Sequence, residues 1–152
     1  MRRLALVAIA AAGLTACSAK LPDDIDEAAL TQAIGRSIGS PSTCVVVADG
    51  QGRVVWRGGG YITCSRNLPS CDGGQTTAEK TLKAALGKPA HFASCPSGTG
   101  ANTVGWAVGL VPTGEGKPPR GLTYVAVMEG DRALPGLEIK ERAERAFAKA
   151  GF

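Results

Sequence analysis

The stretch TCVVVADGQGRVVWRGGG, residues 43–60, decides the fold, because it has the pattern of a β-hairpin. Two runs rich in β-branched residues, 44–48 and 54–56, flank the tetrapeptide DGQG at 49–52. Such runs favour extended strands, and glycines tolerate the positive φ angles that tight hairpin turns require. The stretch therefore predicts two neighbouring antiparallel strands and places a β-sheet at the centre of the domain.

Two further strands are predicted in the second half of the chain, at 103–111 (TVGWAVGLV) and 122–128 (LTYVAVM). The segment between them, PTGEGKPPRG, contains too many prolines to pair as a strand. One face of the first strand carries only small residues, which would let a helix pack closely on it: Gly105, Ala107 and Gly109.

Two helices are predicted on either side of the hairpin. The first lies within LPDDIDEAALTQAIGRSIGS, residues 21–40, and Asp23 is its expected N-cap. The second lies within GGQTTAEKTLKAALGKP, residues 73–89, where Thr76 and Glu79 have the spacing of a capping box. Both segments carry apolar residues at helical spacing, so each helix is expected to pack on the sheet.

A third helix is predicted at the end of the chain, in GLEIKERAERAFAKAGF, residues 136–152. Its apolar residues recur at helical spacing and would face the core: Ile139, Ala143, Ala146, Phe147 and Ala150. Opposite charges four residues apart would add about 0.2–0.5 kcal/mol per pair. These pairs are Glu138/Arg142, Lys140/Glu144 and Glu141/Arg145.

The predicted order of elements is α-β-β-α-β-β-α. This order indicates an α+β domain in which a single antiparallel sheet is covered by helices over one face. The sequence contains no internal repeat and no low-complexity segment. We therefore expect residues 23–152 to form one domain.

The chain begins MRRLALVAIAAAGLTAC, residues 1–17, which has the parts of a bacterial export signal. Arg2 and Arg3 precede an apolar run, 4–14, that is too short to span a bilayer, which needs about 20 residues. The ending LTAC resembles the lipobox of bacterial lipoproteins. The resemblance implies cleavage before Cys17 and attachment of lipid to this residue.

The lipobox resemblance divides the chain into a signal peptide, 1–16, a lipidated tether, 17–22, and the domain, 23–152. Several acyl chains such as palmitate hold a protein firmly at a membrane. Ser18 directly after the cysteine favours the outer membrane, by analogy with known lipoproteins. We therefore expect a lipid-anchored protein of the cell envelope, on the periplasmic face of the outer membrane.

Export also indicates what the remaining cysteines do. Lipidation of Cys17 leaves four of the five cysteines: Cys44, Cys64, Cys71 and Cys95. An even number in an oxidising compartment predicts two disulfides. No C-x-x-C motif supports a zinc site or a thioredoxin-like redox pair. Four cysteines allow three pairings, of which we favour Cys64–Cys71 and Cys44–Cys95.

The charge of the mature chain argues against nucleic acid as a partner. Removal of Arg2 and Arg3 leaves 15 basic against 13 acidic side chains, a formal balance of +2. Binding to nucleic acid depends on a much larger local excess of positive charge. The expected partners are the membrane, through the lipid, and an envelope protein or a small ligand, while the oligomeric state stays open.

Three segments resemble, in their layout, the profilin-like GlcG/haem-binding family: VVVADGQGRVVW at 45–56, AEKTLKAAL at 78–86 and FAKAGF at 147–152. The resemblance spans most of the mature chain and implies a profilin-like or roadblock-like layer of sheet and helices. The four cysteines depart from the family pattern, as does EGDRALPG at 129–136 in place of a glycine-rich segment. The resemblance implies haem or another tetrapyrrole as an alternative ligand, without assigning a residue to it. No other cofactor and no metal site is expected.

No complete catalytic motif is present in the sequence. His91 is the only histidine and would lie just past the second helix, which excludes any site that requires two histidines. The segment TAEK, 77–80, echoes the S-x-x-K acylation motif, but its partner motifs S-D-N and K-T-G are missing. An envelope hydrolase that uses Lys80 or His91 is therefore the least favoured function.

Two features predict binding. Gly73 and Gly74 precede a helix start, where backbone N–H groups bind anions. Three arginines on or beside the first hairpin would form a basic patch, or a solvated edge that discourages sheet pairing: Arg53, Arg57 and Arg66. Together these features predict a non-enzymatic binding module that engages a partner or ligand through the loop 63–74 and the first hairpin.

Overall fold

The computed structural model of the chain describes residues 19–98 and 100–152. The predicted signal peptide and the lipidation site at Cys17 lie outside the described residues. The helices within this range are α1 (Glu27–Ile38), α2 (Tyr61–Ser65), α3 (Ala78–Ala85) and α4 (Gly136–Lys149). The strands are β1 (Thr43–Ala48), β2 (Val54–Gly59), β3 (Leu68–Pro69), β4 (Gln75–Thr76), β5 (His91–Pro96), β6 (Thr103–Leu110) and β7 (Thr123–Gly130).

The core of the fold is a five-stranded sheet in the order β2-β1-β7-β6-β5, in which every neighbouring pair is antiparallel. The predicted α+β class and the antiparallel sheet are therefore confirmed. The hairpin at 43–60 forms β1 and β2 as expected. Its turn is closed by Asp49, whose Oδ1 accepts hydrogen bonds of 3.0 Å from the backbone N–H groups of Gln51 and Arg53.

Strand β5 was not predicted from the sequence. Its residues, HFASCP, include no Val, Ile or Thr, so the local preference for strand is small. The segment forms a strand because it pairs with β6, in which Val108 lies opposite His91 and Val104 lies opposite Cys95. His91 thus lies on the edge strand of the sheet and not in the turn after a helix.

Helices cover both faces of the sheet, so the prediction that they cover only one face is wrong. Val45 and Val47 point into a cluster with α1 and α4, whereas Val46 and Ala48 point into a cluster with α3. All six residues of β1 are buried. A continuous buried apolar run is typical of a strand that is covered on both sides, and the run CVVVA carries that signal.

Helix α4 packs on the sheet over the small residues of β6, as expected. A Cβ atom at Gly105 would lie 2.2 Å from the carbonyl oxygen of Leu134 and 2.8 Å from Cδ1 of Ile139. The predicted apolar stripe of the helix is buried throughout: Ile139, Ala143, Ala146, Phe147 and Ala150. The three predicted ion pairs along α4 are also present.

The ends of the first two predicted helices differ from expectation in detail. Asp26 is the N-cap of α1 in place of Asp23, and its carboxylate accepts N–H groups at 2.8 and 3.0 Å. Thr77 caps α3 in place of Thr76, and its hydroxyl accepts the N–H of Lys80. Leu21, within the predicted tether 17–22, is only 9% exposed and belongs to the core cluster that contains residues of α1 and α4.

All four remaining cysteines form disulfides, but the predicted pairing is wrong. The bonds are Cys44–Cys64 and Cys71–Cys95, with Cα atoms 5.1 and 5.5 Å apart. Strands β1 and β5 are separated by β7 and β6, which places them about 14 Å apart at the normal strand spacing. A disulfide requires Cα atoms within about 7 Å, so Cys44 does not reach Cys95.

Among residues 19–98 and 100–152, the helices are all too short or too polar to cross a bilayer.

Candidate functional site

The segment 61–77 crosses the α3 face of the sheet and is held at both ends by a disulfide. Cys64, in α2, bonds to Cys44 on β1, and both are fully or almost fully buried. Cys71, in the turn between β3 and β4, bonds to Cys95 on the edge strand β5. The connection therefore runs across the sheet from β1 to β5 and is covalently fixed at each side.

The short hairpin of β3 and β4 is also held by a buried side chain and by a hydrogen bond to the sheet. The side chain of Leu68 is 2% exposed and lies in the core beneath α3. The indole Nε1 of Trp106, on β6, donates a hydrogen bond of 2.7 Å to the carbonyl oxygen of Pro69. Cys71 itself has φ of 68°, a left-handed conformation that costs a non-glycine residue about 1–2 kcal/mol. Core contact, hydrogen bond and disulfide together maintain this conformation.

A cleft of about 500 Å³ lies between this hairpin, helix α3 and strands β5 and β6. Its volume is within the range of about 300–1,000 Å³ that is usual for sites of small ligands. The polar side chains that line it are Ser70, Asp72, Gln75, Thr76, Lys80, Thr81, Lys88 and His91. The apolar ones are Ala84, Ala85, Pro89, Trp106 and Val108.

The cleft carries more positive than negative groups. Lys80, Lys88 and His91 have no hydrogen bond or ion pair from their side chains to any described residue. Asp72 is the one carboxylate among the described lining residues. Its Oδ1 accepts a hydrogen bond from the hydroxyl of Ser70 and another, of 3.3 Å, from the N–H of Gly74.

The environment of Asp72 keeps its carboxylate ionised. The hydrogen bond from Ser70 lowers the pKa of Asp72 most, and the N–H of Gly74 lowers it further. The charge of nearby His91 acts in the same direction. The carboxylate of Asp72 thus already accepts two hydrogen bonds from the protein itself.

Among the described groups of the cleft, no hydroxyl is hydrogen-bonded to His91 or to the ammonium group of a lysine. The hydroxyl of Ser70 donates to Asp72, so it is not activated by His91. The hydroxyl of Thr77 caps α3, which is the role that a helix start predicts, and it does not act with Lys80 as an S-x-x-K pair. Within residues 19–98 and 100–152, no three His, Cys, Asp or Glu side chains are grouped closely enough to hold a metal ion.

The arginines of the predicted basic patch are each paired with a carboxylate. Arg53 bonds to Asp49 at 2.7 Å and Arg66 bonds to Glu129 at 2.7 Å. Arg57 bonds to Glu79 on α3. These ion pairs compensate the charge of the patch and link the first hairpin and the loop 61–77 to neighbouring elements.

The glycines of the predicted anion site lie in the turn between β3 and β4, and not at a helix start. Gly73 has φ of 100°, which only glycine adopts readily, and space is open around its Cα. Gly74 accepts the N–H of Ser70 in the turn and lines the cleft. Helix α3 begins only at Ala78. Anion binding at these glycines stays a prediction. The N–H groups offered there are those of a hairpin turn and not those of a helix terminus.

The sequence pointed to Lys80 and His91 separately, but it did not indicate that they share a cleft with Lys88 and Trp106. The two lysines follow each other along α3 and the loop after it, whereas His91 and Trp106 come from paired strands. The unpredicted strand β5 brings these groups together. A sequence signal did exist, since the segment KTLKAALGKPAH contains three lysines and a histidine but no acid.

Comparisons of the chain with protein-family models, with curated proteins and with solved structures find no match.

Proposed function

We propose that the chain is a lipid-anchored, non-enzymatic binding module of the cell envelope, and that the cleft between α3 and β5 receives a small ligand. One observation carries this proposal: the walls of the cleft are fixed before any ligand arrives. The disulfide Cys71–Cys95 ties the β3–β4 wall to β5, and Trp106 ties it to β6. A preformed site loses less conformational entropy on binding than a mobile one does.

The location in the envelope is supported by two independent features of the chain. The lipobox-like ending at Cys17 predicts a lipid anchor. The two disulfides, which are far from Cys17 in the chain, are bonds that persist in oxidising compartments and are rare in the cytosol. Export and disulfide formation are consistent with each other, and the cleft would then face the periplasm.

The absence of an assembled nucleophile among the described cleft residues favours binding over catalysis. The loop 63–74, which was predicted to engage a partner, supplies a wall of the cleft in this proposal. The arginines of the first hairpin are already neutralised by Asp49 and Glu79, which makes that surface the second choice for a partner.

Lipidation is tested by labelling cells that produce the full chain with an alkyne fatty acid and separating their membranes. We expect the label and the protein in the outer-membrane fraction. Cys17→Ser is expected to lose the label and to shift to the soluble or inner-membrane fraction. An unlabelled wild-type protein in the cytosol, with reduced cysteines, would contradict the proposal.

Ligand binding is tested with the full lipoprotein purified in detergent micelles and exposed to a low-molecular-mass extract of periplasm. Bound compounds are detected by native mass spectrometry. The variant Ala84→Trp fills the cleft from α3, where Ala84 is exposed and lines the site. Ala28→Trp, at an exposed position of α1, is the matched control. We expect the wild type and the control to capture a compound that Ala84→Trp does not capture. Equal capture by all three proteins would show that the ligand does not bind in the cleft.

The haem alternative stays a prediction and has a simple measurement. His91 is the only histidine of the chain and lines the cleft, so it is the residue to substitute. Titration of haem into the lipoprotein would produce a Soret shift that His91→Ala abolishes. An unchanged Soret band in the wild type would remove the alternative.

A further inference from the structure

We infer that the ligand of the cleft is a small organic anion, a carboxylate or phosphate carried on an apolar body, and that Lys80 and Lys88 bind its charged group. This inference rests on the proposed function and specifies it. It follows from the position of Lys80 and Lys88, which both line this cleft and have no ion-pair partner among the described residues.

Several arginines close to the sheet are each paired with a carboxylate of the chain. Arg57 has Glu79, Arg66 has Glu129 and Arg120 has Asp24. Lys80 and Lys88 have no such partner among the described residues, although both line the same cleft. An anion between the two ammonium groups would supply the missing partner, and ionic hydrogen bonds of this kind are among the stronger ones in proteins.

Strand β5 adds a further donor to the lining of the cleft. His91, on β5, faces the cleft with its side chain unpaired among the described residues. The carboxylate of Asp72, whose Oδ1 accepts hydrogen bonds from Ser70 and Gly74, lies in the same lining and would repel an anion placed beside it. The charged end of the ligand is therefore expected on the side of the lysines, away from Asp72.

The apolar part of the lining favours an organic anion over a bare inorganic ion. Trp106 and Val108 form the floor, and Ala84, Ala85 and Pro89 form a wall beside the lysines. A volume of about 500 Å³ is far larger than a phosphate or sulfate ion needs. A ring or short alkyl chain attached to the anionic group would cover this apolar surface and displace water from it.

The test uses three probes of similar size: phenyl phosphate, benzoate and the neutral benzamide. Each is titrated into the full lipoprotein in detergent micelles, and the NMR signals of the His91 ring and of the Trp106 indole N–H are followed. We expect the two anions to shift these signals with saturation, and benzamide to bind at least about tenfold more weakly, since a charged hydrogen bond contributes roughly that factor.

The matched variants are Lys80→Gln/Lys88→Gln and Lys83→Gln/Lys149→Gln. Both pairs remove two positive charges, but Lys83 and Lys149 do not line the cleft. We expect the affinity for phenyl phosphate to fall by about tenfold or more in the first variant. In the second variant it should stay within about twofold of the wild-type value. Circular dichroism of each variant confirms that it is folded.

The outcomes separate this inference from the proposed function. Equal binding of benzamide and benzoate, or equal binding by the two lysine variants, would overturn the inference while a ligand in the cleft remained. The inference would also be overturned if neither phenyl phosphate nor benzoate shifted the NMR signals of His91 and Trp106. If Ala84→Trp then captured the same compounds as the wild type, the proposed function would fail as well.

Discussion

The indole Nε1 of Trp106 donates a hydrogen bond of 2.7 Å to the carbonyl oxygen of Pro69, and this bond joins strand β6 to the hairpin that walls the cleft. The ring is 2% exposed and packs in the core beneath α3. One side chain thus connects the buried sheet to the surface site. The hairpin that walls the cleft is therefore held by this hydrogen bond as well as by the disulfide Cys71–Cys95.

Trp106→Phe is expected to destabilise the domain more than Trp56→Phe does. Both variants lose ring contacts of a buried tryptophan, but only the first loses a hydrogen bond to a backbone carbonyl. We expect a difference in the free energy of unfolding of about 1 kcal/mol, measured by urea denaturation. Amide exchange in residues 68–76 should increase in Trp106→Phe alone. Equal losses in the two variants would show that the bond to Pro69 contributes nothing.

The disulfide pairing is expected to appear directly in a tryptic digest without reduction. The four cysteines fall in separate peptides, 37–53, 58–66, 67–80 and 84–120, because trypsin does not cleave before Pro89 or Pro118. Mass spectrometry should find 37–53 linked to 58–66, and 67–80 linked to 84–120. A link between 58–66 and 67–80 would contradict the structure.

Removal of either disulfide is expected to lower the free energy of unfolding by about 3 kcal/mol, according to the loop-entropy relation for loops of 20 and 24 residues. The effect on the cleft should differ between the two. Cys71→Ser/Cys95→Ser releases the wall and should weaken phenyl phosphate binding, whereas Cys44→Ser/Cys64→Ser should preserve it at temperatures where the domain stays folded. Identical binding by both double variants would show that the Cys71–Cys95 bond does not shape the site.

Gly105→Ala and Gly35→Ala are expected to change stability in opposite directions. A Cβ at Gly105 would lie 2.2 Å from the backbone oxygen of Leu134, so β6 and α4 must separate. We expect a loss of about 1–3 kcal/mol in the free energy of unfolding. Gly35 lies within α1 with nothing within 4 Å of its Cβ position. Alanine there should gain about 0.5–1 kcal/mol. Thermal unfolding measures both, and a stabilising Gly105→Ala would contradict the packing of α4.

The stability of the domain is expected to fall as the pH is lowered through the acidic range. The side chain of Arg120 donates hydrogen bonds of 2.8 and 2.6 Å to Asp24, and these lower its pKa from 3.8 to about 2. A carboxyl whose pKa is lower in the folded state stabilises the fold above its unfolded pKa, near 4, and loses this contribution as the pH falls toward about 2. Asp49 and Asp72, whose pKa values are also lowered, act in the same direction.

Urea unfolding at a series of pH values between about 5 and 2 measures this dependence. The free energy of unfolding of Asp24→Asn should decrease less between about pH 5 and about pH 2 than that of the wild type does. Arg120 also lies over the ring of Phe152, 5.8 Å from its centre. Arg120→Gln in the Asp24→Asn background should therefore reduce stability by the same amount at every pH. An unchanged slope in Asp24→Asn would show that the ion pair does not form in solution.

Much of the fold could be predicted from the sequence because its signals are local. The hairpin at 43–60, the strand 103–111 and the stripe of the last helix follow from alternation, turn glycines and helical spacing, which neighbouring residues specify by themselves. The unbroken apolar run of β1 is likewise a local signal, typical of a strand that is covered on both faces. Strand β5 was missed because its residues have little preference for strand until β6 pairs with them.

By itself, then, the sequence determined the class of fold, the first hairpin, strands β6 and β7, the three longer helices and the presence of two disulfides among four cysteines. The tertiary structure alone decided which cysteine meets which, because β7 and β6 lie between Cys44 and Cys95. It also decided the cleft, in which Lys80 of α3, His91 of β5 and Trp106 of β6 line one space beside the hairpin of β3 and β4. The physical reason is that the order of strands depends on burying two apolar faces at once, and no stretch of the chain contains that information locally.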